Sequence, residues 1–125
     1  MKVSGWVTLT LDYDRDTEFV GDDADRYSEL CDLGGLYEKV LVFIPALDAA
    51  STVTPYIQRD NNVATVPVAV HALDDDATGS FAHATSSGSG DIAVVFNISG
   101  AETFRLYTSA NQAANRVFYC RGFNV

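Results

Sequence analysis

Asp12, Asp14 and Asp16 recur at every second position, with Glu18, Asp22 and Asp23 behind them. Carboxylates in such a series can bind calcium, work as a general acid–base pair, or simply line the wet side of a strand. A helix–loop–helix calcium site needs acidic or amide ligands at loop positions 1, 3 and 5, glycine at 6 and glutamate at 12. Counted from Asp12, the glycine position holds Thr17 and the glutamate position holds Asp23, and neither flank reads as helix. The sharp turn and the bidentate ligand are both missing. A calcium site at Asp12, Asp14 and Asp16 tighter than about 10⁻⁴ M is therefore not expected, and a weak loop-type cation site is the alternative. A catalytic carboxylate pair has the least support.

The other reactive side chains form no constellation. His71 falls on the polar parity of its segment and His83 in a small-residue loop, with no metal-ligand spacing between them. Cys31 and Cys120 make no CxxC pair, so zinc and thioredoxin-like chemistry are unsupported. They read as small, buried, reduced side chains. The alternative is one bridge from an early strand to the last, which would stabilise by roughly 4–5 kcal/mol in the chain-entropy model. No GxSxG nucleophile elbow occurs. "SSGSG" (86–90) lacks the lysine and following helix of a phosphate loop. "NIS" at Asn97 matches a glycosylation acceptor without a secretory context. The expectation is a non-enzyme with no catalytic, cofactor-binding or metal-binding residues.

The elements that carry these residues have period two. Val7, Leu9, Leu11, Tyr13 and Phe19 are odd-numbered, while Thr8, Thr10, Asp12, Asp14, Asp16 and Glu18 are even-numbered. Side chains alternate between faces along a strand, so the carboxylates continue the polar face of a first strand whose other face is buried. Further strands are expected at 27–33, 39–45, 51–58, 64–73, 91–98, 103–109 and 116–123. Residues 39–45, "KVLVFIP", are apolar on both parities, which predicts a central strand covered on both faces. Pro55 and Pro67 suggest edges or bulges. Val66, Val68 and Val70 should share one face, as should Ile92, Val94, Phe96 and Ile98. A short helical turn is expected at 109–115, and a mobile surface loop over 74–91. About eight short antiparallel strands without a convincing helix predict an all-β single β-sandwich, jelly-roll-like. The division expected is an N-terminal strand or arm at 1–26 and a β-sandwich domain at 27–125.

The chain has 125 residues and a net charge of −9, with lysine only at positions 2 and 39. One domain of this length buries a core without staples. The negative balance argues against nucleic acid and anionic membranes as partners. The longest apolar run, Val40 to Leu47, is too short to span a membrane, and the N-terminus carries no signal-peptide pattern. Most of the aromatic side chains, Trp6, six tyrosines and seven phenylalanines, should be core, with a few rings exposed enough to stack on sugars.

Several blocks in order resemble a known family. They are the turn Cys31-Asp32-Leu33-Gly34-Gly35, the strand "VLVFIPAL" (40–47), "STVTPYIQRD" (51–60) and "FRLYTSANQAANRVFYCRGF" (104–123). Together they resemble small β-sandwich virion proteins of tailed bacteriophages, whose suggested role is head decoration, or cement. The first 30 residues lie outside the resemblance. It implies a protein made in the host cytoplasm and placed on the capsid exterior, bridging and stabilising capsid subunits. The partners expected are the major capsid protein and further copies of the chain, forming a homo-oligomer. The rival expectation is a carbohydrate- or host-surface-binding sandwich of a tail or fibre. Candidate partner contacts are Val7, Leu9 and Leu11, whose apolar face needs a covering surface, either the chain's own sandwich or a neighbouring subunit, and Phe81, the one large apolar residue of the 74–91 loop.

Overall fold

The computed structural model describes residues 2–14, 24–48, 51–58, 67–70, 84–85, 92–98 and 100–124. Two antiparallel sheets pack face to face as a β-sandwich. The first contains β1 (Lys2–Val3), β2 (Val7–Leu11), β4 (Lys39–Ile44), β8 (Ile92–Asn97) and β10 (Arg116–Asn124). Both β1 and β2 lie along one side of β10, with β4 on its other side and β8 beyond β4. The second contains β3 (Cys31–Asp32), β5 (Thr52–Ile57), β6 (Val68–Ala69), β7 (Ala84–Thr85) and β9 (Thr103–Thr108), in the order β3-β9-β5, with β6 and β7 both on the far side of β5.

The pairings nest. β2 pairs with β10, β3 with β9, β4 with β8 and β5 with β6. This nesting brings the first and last strands together. The sheets also meet along a seam. Leu11 bridges to Ser28, Tyr27 bridges to Tyr107, and the Ser28 N–H donates to the Leu106 carbonyl at 2.8 Å.

Inward positions follow the sequence period. Leu9 and Leu11, Val40, Val42 and Ile44, Phe96, Phe104 and Leu106, and Phe118 and Cys120 fill one continuous core. Ile92 and Val94 pack at its margin and Ile98 lies within it, as the alternation of that segment requires.

Several expectations are corrected. The first strand ends at Leu11, because the Asp12 carboxylate accepts the Asp14 N–H at 3.1 Å and turns the chain. Tyr13 is therefore exposed rather than inward. Asp12 and Asp14 belong to a turn and not to a strand face. Asp16, Glu18, Phe19, Asp22 and Asp23 lie outside the described residues.

β5 is an interior strand despite Pro55. Its far side is covered by two short pieces, β7 opposite Thr52 and Val53 and β6 opposite Tyr56 and Ile57. The Pro55 carbonyl accepts the Val70 N–H on that same side. Pro55 lacks an N–H to offer there, and its position coincides with the break in the ladder. Val70 is buried but Val68 is exposed, since Val68 pairs only with Ile57 at the end of β5; Val66 is outside the described residues. The stretch 109–115 contains no helix. Its polar groups are tied to the β4–β5 connection, where Gln112 Oε1 accepts the Asp48 N–H and Ser109 Oγ accepts the Thr52 N–H, both at 2.8 Å. The span 74–91 includes β7, and its other residues lie outside those described.

Candidate functional site

The outward side of the first sheet is apolar. Antiparallel register sets Tyr119 beside Phe43 and Phe43 beside Ala93, and likewise Arg121, Leu41 and Val95 in the next row. Trp6, Val95, Tyr119, Phe43 and Val117 are all exposed there, from 51% for Val95 down to 36% for Val117. This corrects the expectation that "KVLVFIP" is covered on both faces. β4 is central, but only Val40, Val42 and Ile44 are enclosed. Covering the other face would take a third layer, and the described residues contain no helix longer than the 3₁₀ turn Ala24–Arg26.

A bulge separates Trp6 from β1. Val3 stands opposite Phe123 and Val7 opposite Cys120, so Ser4, Gly5 and Trp6 oppose only Arg121 and Gly122. One extra residue reverses the alternation. Ser4 turns inward, where its Oγ accepts the Gly122 N–H at 2.8 Å and its own N–H donates to the Gly122 carbonyl at 2.8 Å. The indole turns outward, 5.6 Å from the Phe43 ring. Arg121 holds the arrangement from β10. Its guanidinium lies 5.4 Å from the indole centroid, and its Nε donates to the Ser4 carbonyl at 3.0 Å.

Two shallow depressions flank this aromatic centre. One of about 270 Å³ is lined by Phe43, Pro45, Asn115, Arg116, Val117 and Tyr119. The other, of about 230 Å³, is lined by Val3, Leu41, Arg121 and Phe123. The outward positions of β4, β8 and β10 hold two cations, Lys39 and Arg121, and no carboxylate. In a chain of net charge −9, this face is locally positive and apolar. Exposed rings and aliphatic side chains beside two cations suit it to apolar contact.

The opposite sheet presents a different surface. Thr54 and Arg105 face outward there but are 9% exposed, and the rings of Tyr27, Tyr56 and Tyr107 close on one another with centroids 4.7–5.3 Å apart.

The candidate contact residues separate. Leu9 and Leu11 are 1% and 0% exposed within the chain's own core, and Val7 is half-buried against it. Of the two covers expected for Leu9 and Leu11, the one present is the chain's own sandwich. The first strand is accordingly part of the core sheet. Phe81, His71 and His83 lie outside the described residues. Cys31 and Cys120 are buried and carry no disulfide. The Cys31 thiol as hydrogen-bond partner, together with burial, pushes the Cys120 thiol far above its usual range. Among the described residues no group of three or more His, Cys, Asp or Glu is placed to hold a metal ion.

Trp6, Phe43 and Tyr119 were the residues that sequence reasoning missed. The parity that buries Val7, Leu9 and Leu11 exposes Trp6, and an all-β chain lacks the helices that would cover a second apolar face of β4. Both signals were present in the sequence. Comparison with protein families, with curated proteins and with solved structures gives no match to this chain.

Proposed function

We propose that the chain is a non-enzymatic virion structural protein of a tailed phage, a head decoration or cement protein. It sits on the capsid exterior and is made in the host cytoplasm. The observation that carries this reading is the bare apolar face around Trp6, Phe43 and Tyr119, which binds without chemistry. The nested pairing of first strand with last supports the jelly-roll form of the sandwich.

Magnitudes shape the mechanism. Strand spacing and rise give the face an extent of roughly 20 Å by 20 Å, or about 400 Å². A standard stable interface buries about 800 Å² on each partner. One such face alone gives weak attachment, and firm attachment follows from many copies engaging a repetitive shell. The major capsid protein would offer an apolar patch with acidic groups near Lys39 and Arg121. The remaining negative surface of the chain favours solubility before assembly.

Glycan binding through the exposed rings is the second reading, favoured by the Trp6–Phe43 pair. Against it, Val3, Leu41, Val95 and Val117 are aliphatic, and they offer a sugar neither stacking faces nor hydroxyl partners. Co-sedimentation with assembled capsid shells separates the readings. The wild-type chain should pellet with shells, and Phe43→Lys should stay in the supernatant while remaining folded. Equal pelleting of both proteins, or capture of the wild type by glycans and not by shells, would overturn the docking proposal.

A further inference from the structure

Among the described strands β8 is the outer one of the first sheet, paired on one side with β4. The Ile98 N–H donates to the Glu38 carbonyl at 2.8 Å, which fixes the phase of this ladder. Hydrogen-bonded pairs alternate along an antiparallel pair. Ile92, Val94 and Phe96 therefore bond to β4, and the backbone N–H and C=O of Ala93 and Val95 point away from it. Exposed edges are ordinarily blunted by charged side chains, proline or bulges. The strand "IAVVFN" has none of these, and Val95 is 51% exposed beside it.

We infer that β8 pairs antiparallel with β8 of a second copy of this chain across a two-fold axis. The register is self-complementary. Setting Val94 opposite its own symmetry mate brings Ala93 opposite Val95, and Val95 opposite Ala93. The outward-pointing backbone groups of both strands then meet in hydrogen-bonded pairs. The half-buried Ile92 and Val94 gain apolar neighbours at the margin of the core. The contact strand itself contains no ionisable residue, so two chains of net charge −9 meet there without opposing like charges in the ladder.

The two-fold axis stands perpendicular to the sheet and keeps both outward faces on the same side. Each roughly 400 Å² face then becomes half of one continuous surface of about 800 Å², the size of a standard interface. The pairing stands on the β8 edge alone and does not depend on what that surface docks against.

Sedimentation equilibrium of the full chain tests the pairing. The wild type should show a reversible dimer. Val95→Pro removes only the outward-pointing N–H and should weaken dimerisation by about tenfold or more, because the two-fold axis deletes the group twice. Val95→Lys keeps that N–H but sets like charges beside the axis. It should likewise give a monomer with unchanged near-ultraviolet circular dichroism, and it decides the matter if the proline variant does not fold. Phe43→Lys should dimerise as the wild type does, since Phe43 lies on the docking face and away from the edge. A wild type that stays monomeric, a dimer insensitive to Val95→Lys, or a dimer lost in Phe43→Lys would each overturn the inference.

Discussion

The indole of Trp6 lies 5.6 Å from the phenyl ring of Phe43, although β10 separates the strands that carry them. Trp6 precedes β2 on one side of β10, and Phe43 belongs to β4 on the other. The two rings therefore meet across β10, on the side that Arg121 and Tyr119 share. This contact lies on the exposed apolar face, and the alternation that turns Val7 inward turns Trp6 outward.

Trp6→Ala should separate binding from stability. The indole is 49% exposed, and among the described residues it meets the Phe43 ring and the Arg121 guanidinium. Such contacts contribute about 0.5–1.5 kcal/mol each at most on exposed surfaces. Urea denaturation should show a loss of about 1 kcal/mol, while attachment to shells drops strongly. A loss above about 3 kcal/mol, typical of truncated core aromatics, would place Trp6 in the core instead.

Gly122→Ala should destabilise the fold. A Cβ at this position would lie 2.8 Å from Tyr37 Cγ and 2.9 Å from Leu33 Cδ1. Both are inward-facing, buried side chains, and Gly122 is also clamped through its N–H and carbonyl to Ser4. Overpacking of this kind costs about 1–3 kcal/mol. A lowered midpoint of thermal unfolding is expected, and an unchanged midpoint would contradict the packing described for the β10 end of the core.

The thiols should be silent in the folded protein. Cys31 and Cys120 are both fully buried, and the Cys120 thiol is held protonated by its thiol neighbour and by burial. The thiolate is the reactive form. An alkylating reagent at neutral pH should modify neither residue in the native state and both after denaturation without reductant. An unlabelled denatured chain would reveal a bridge.

Acid should weaken the tie between the β4–β5 connection and the 109–115 segment. The Ala113 N–H donates to Asp48 Oδ2 at 2.7 Å, and Arg116 Nη2 donates to Oδ1 at 3.0 Å. These partners, the Ala113 N–H foremost, hold the Asp48 carboxyl below the usual aspartate value. A lowered folded pKa adds stability that is complete above the unfolded value of about 3.9 and is lost as pH falls from there through the folded value. Asp48→Asn should therefore be less stable than the wild type at neutral pH. The difference should shrink in acid, as read by urea midpoints across pH. A difference that grows as pH falls would reverse the assignment.

Period-two patterning made the sandwich legible, because one face of each long strand must be buried. The cores of β2, β4, β8 and β10 follow that alternation. What escaped it was set by single side chains and by one inserted residue. Asp12 ends the first strand by capping its own turn, so the carboxylate series read as a strand face when part of it is a turn. Gly5 adds the residue that lets Ser4 turn inward while Val3 stays outward, and a hydrophobicity pattern carries no sign of a bulge. Pro55 signalled an edge, but β5 is interior, because two separate short strands, β6 and β7, pair with it on either side of the proline. The binding face was legible in principle, since β4 is apolar on both parities in a chain that supplies no helix to cover it.

The most direct measurement is the position and copy number of the chain in purified particles by electron cryomicroscopy. The account expects the chain on the outer capsid surface in many symmetry-related copies, with Trp6, Phe43 and Tyr119 buried against the capsid protein. Particles that carry the chain with those three side chains turned to solvent, or that lack the chain on the shell altogether, would contradict it.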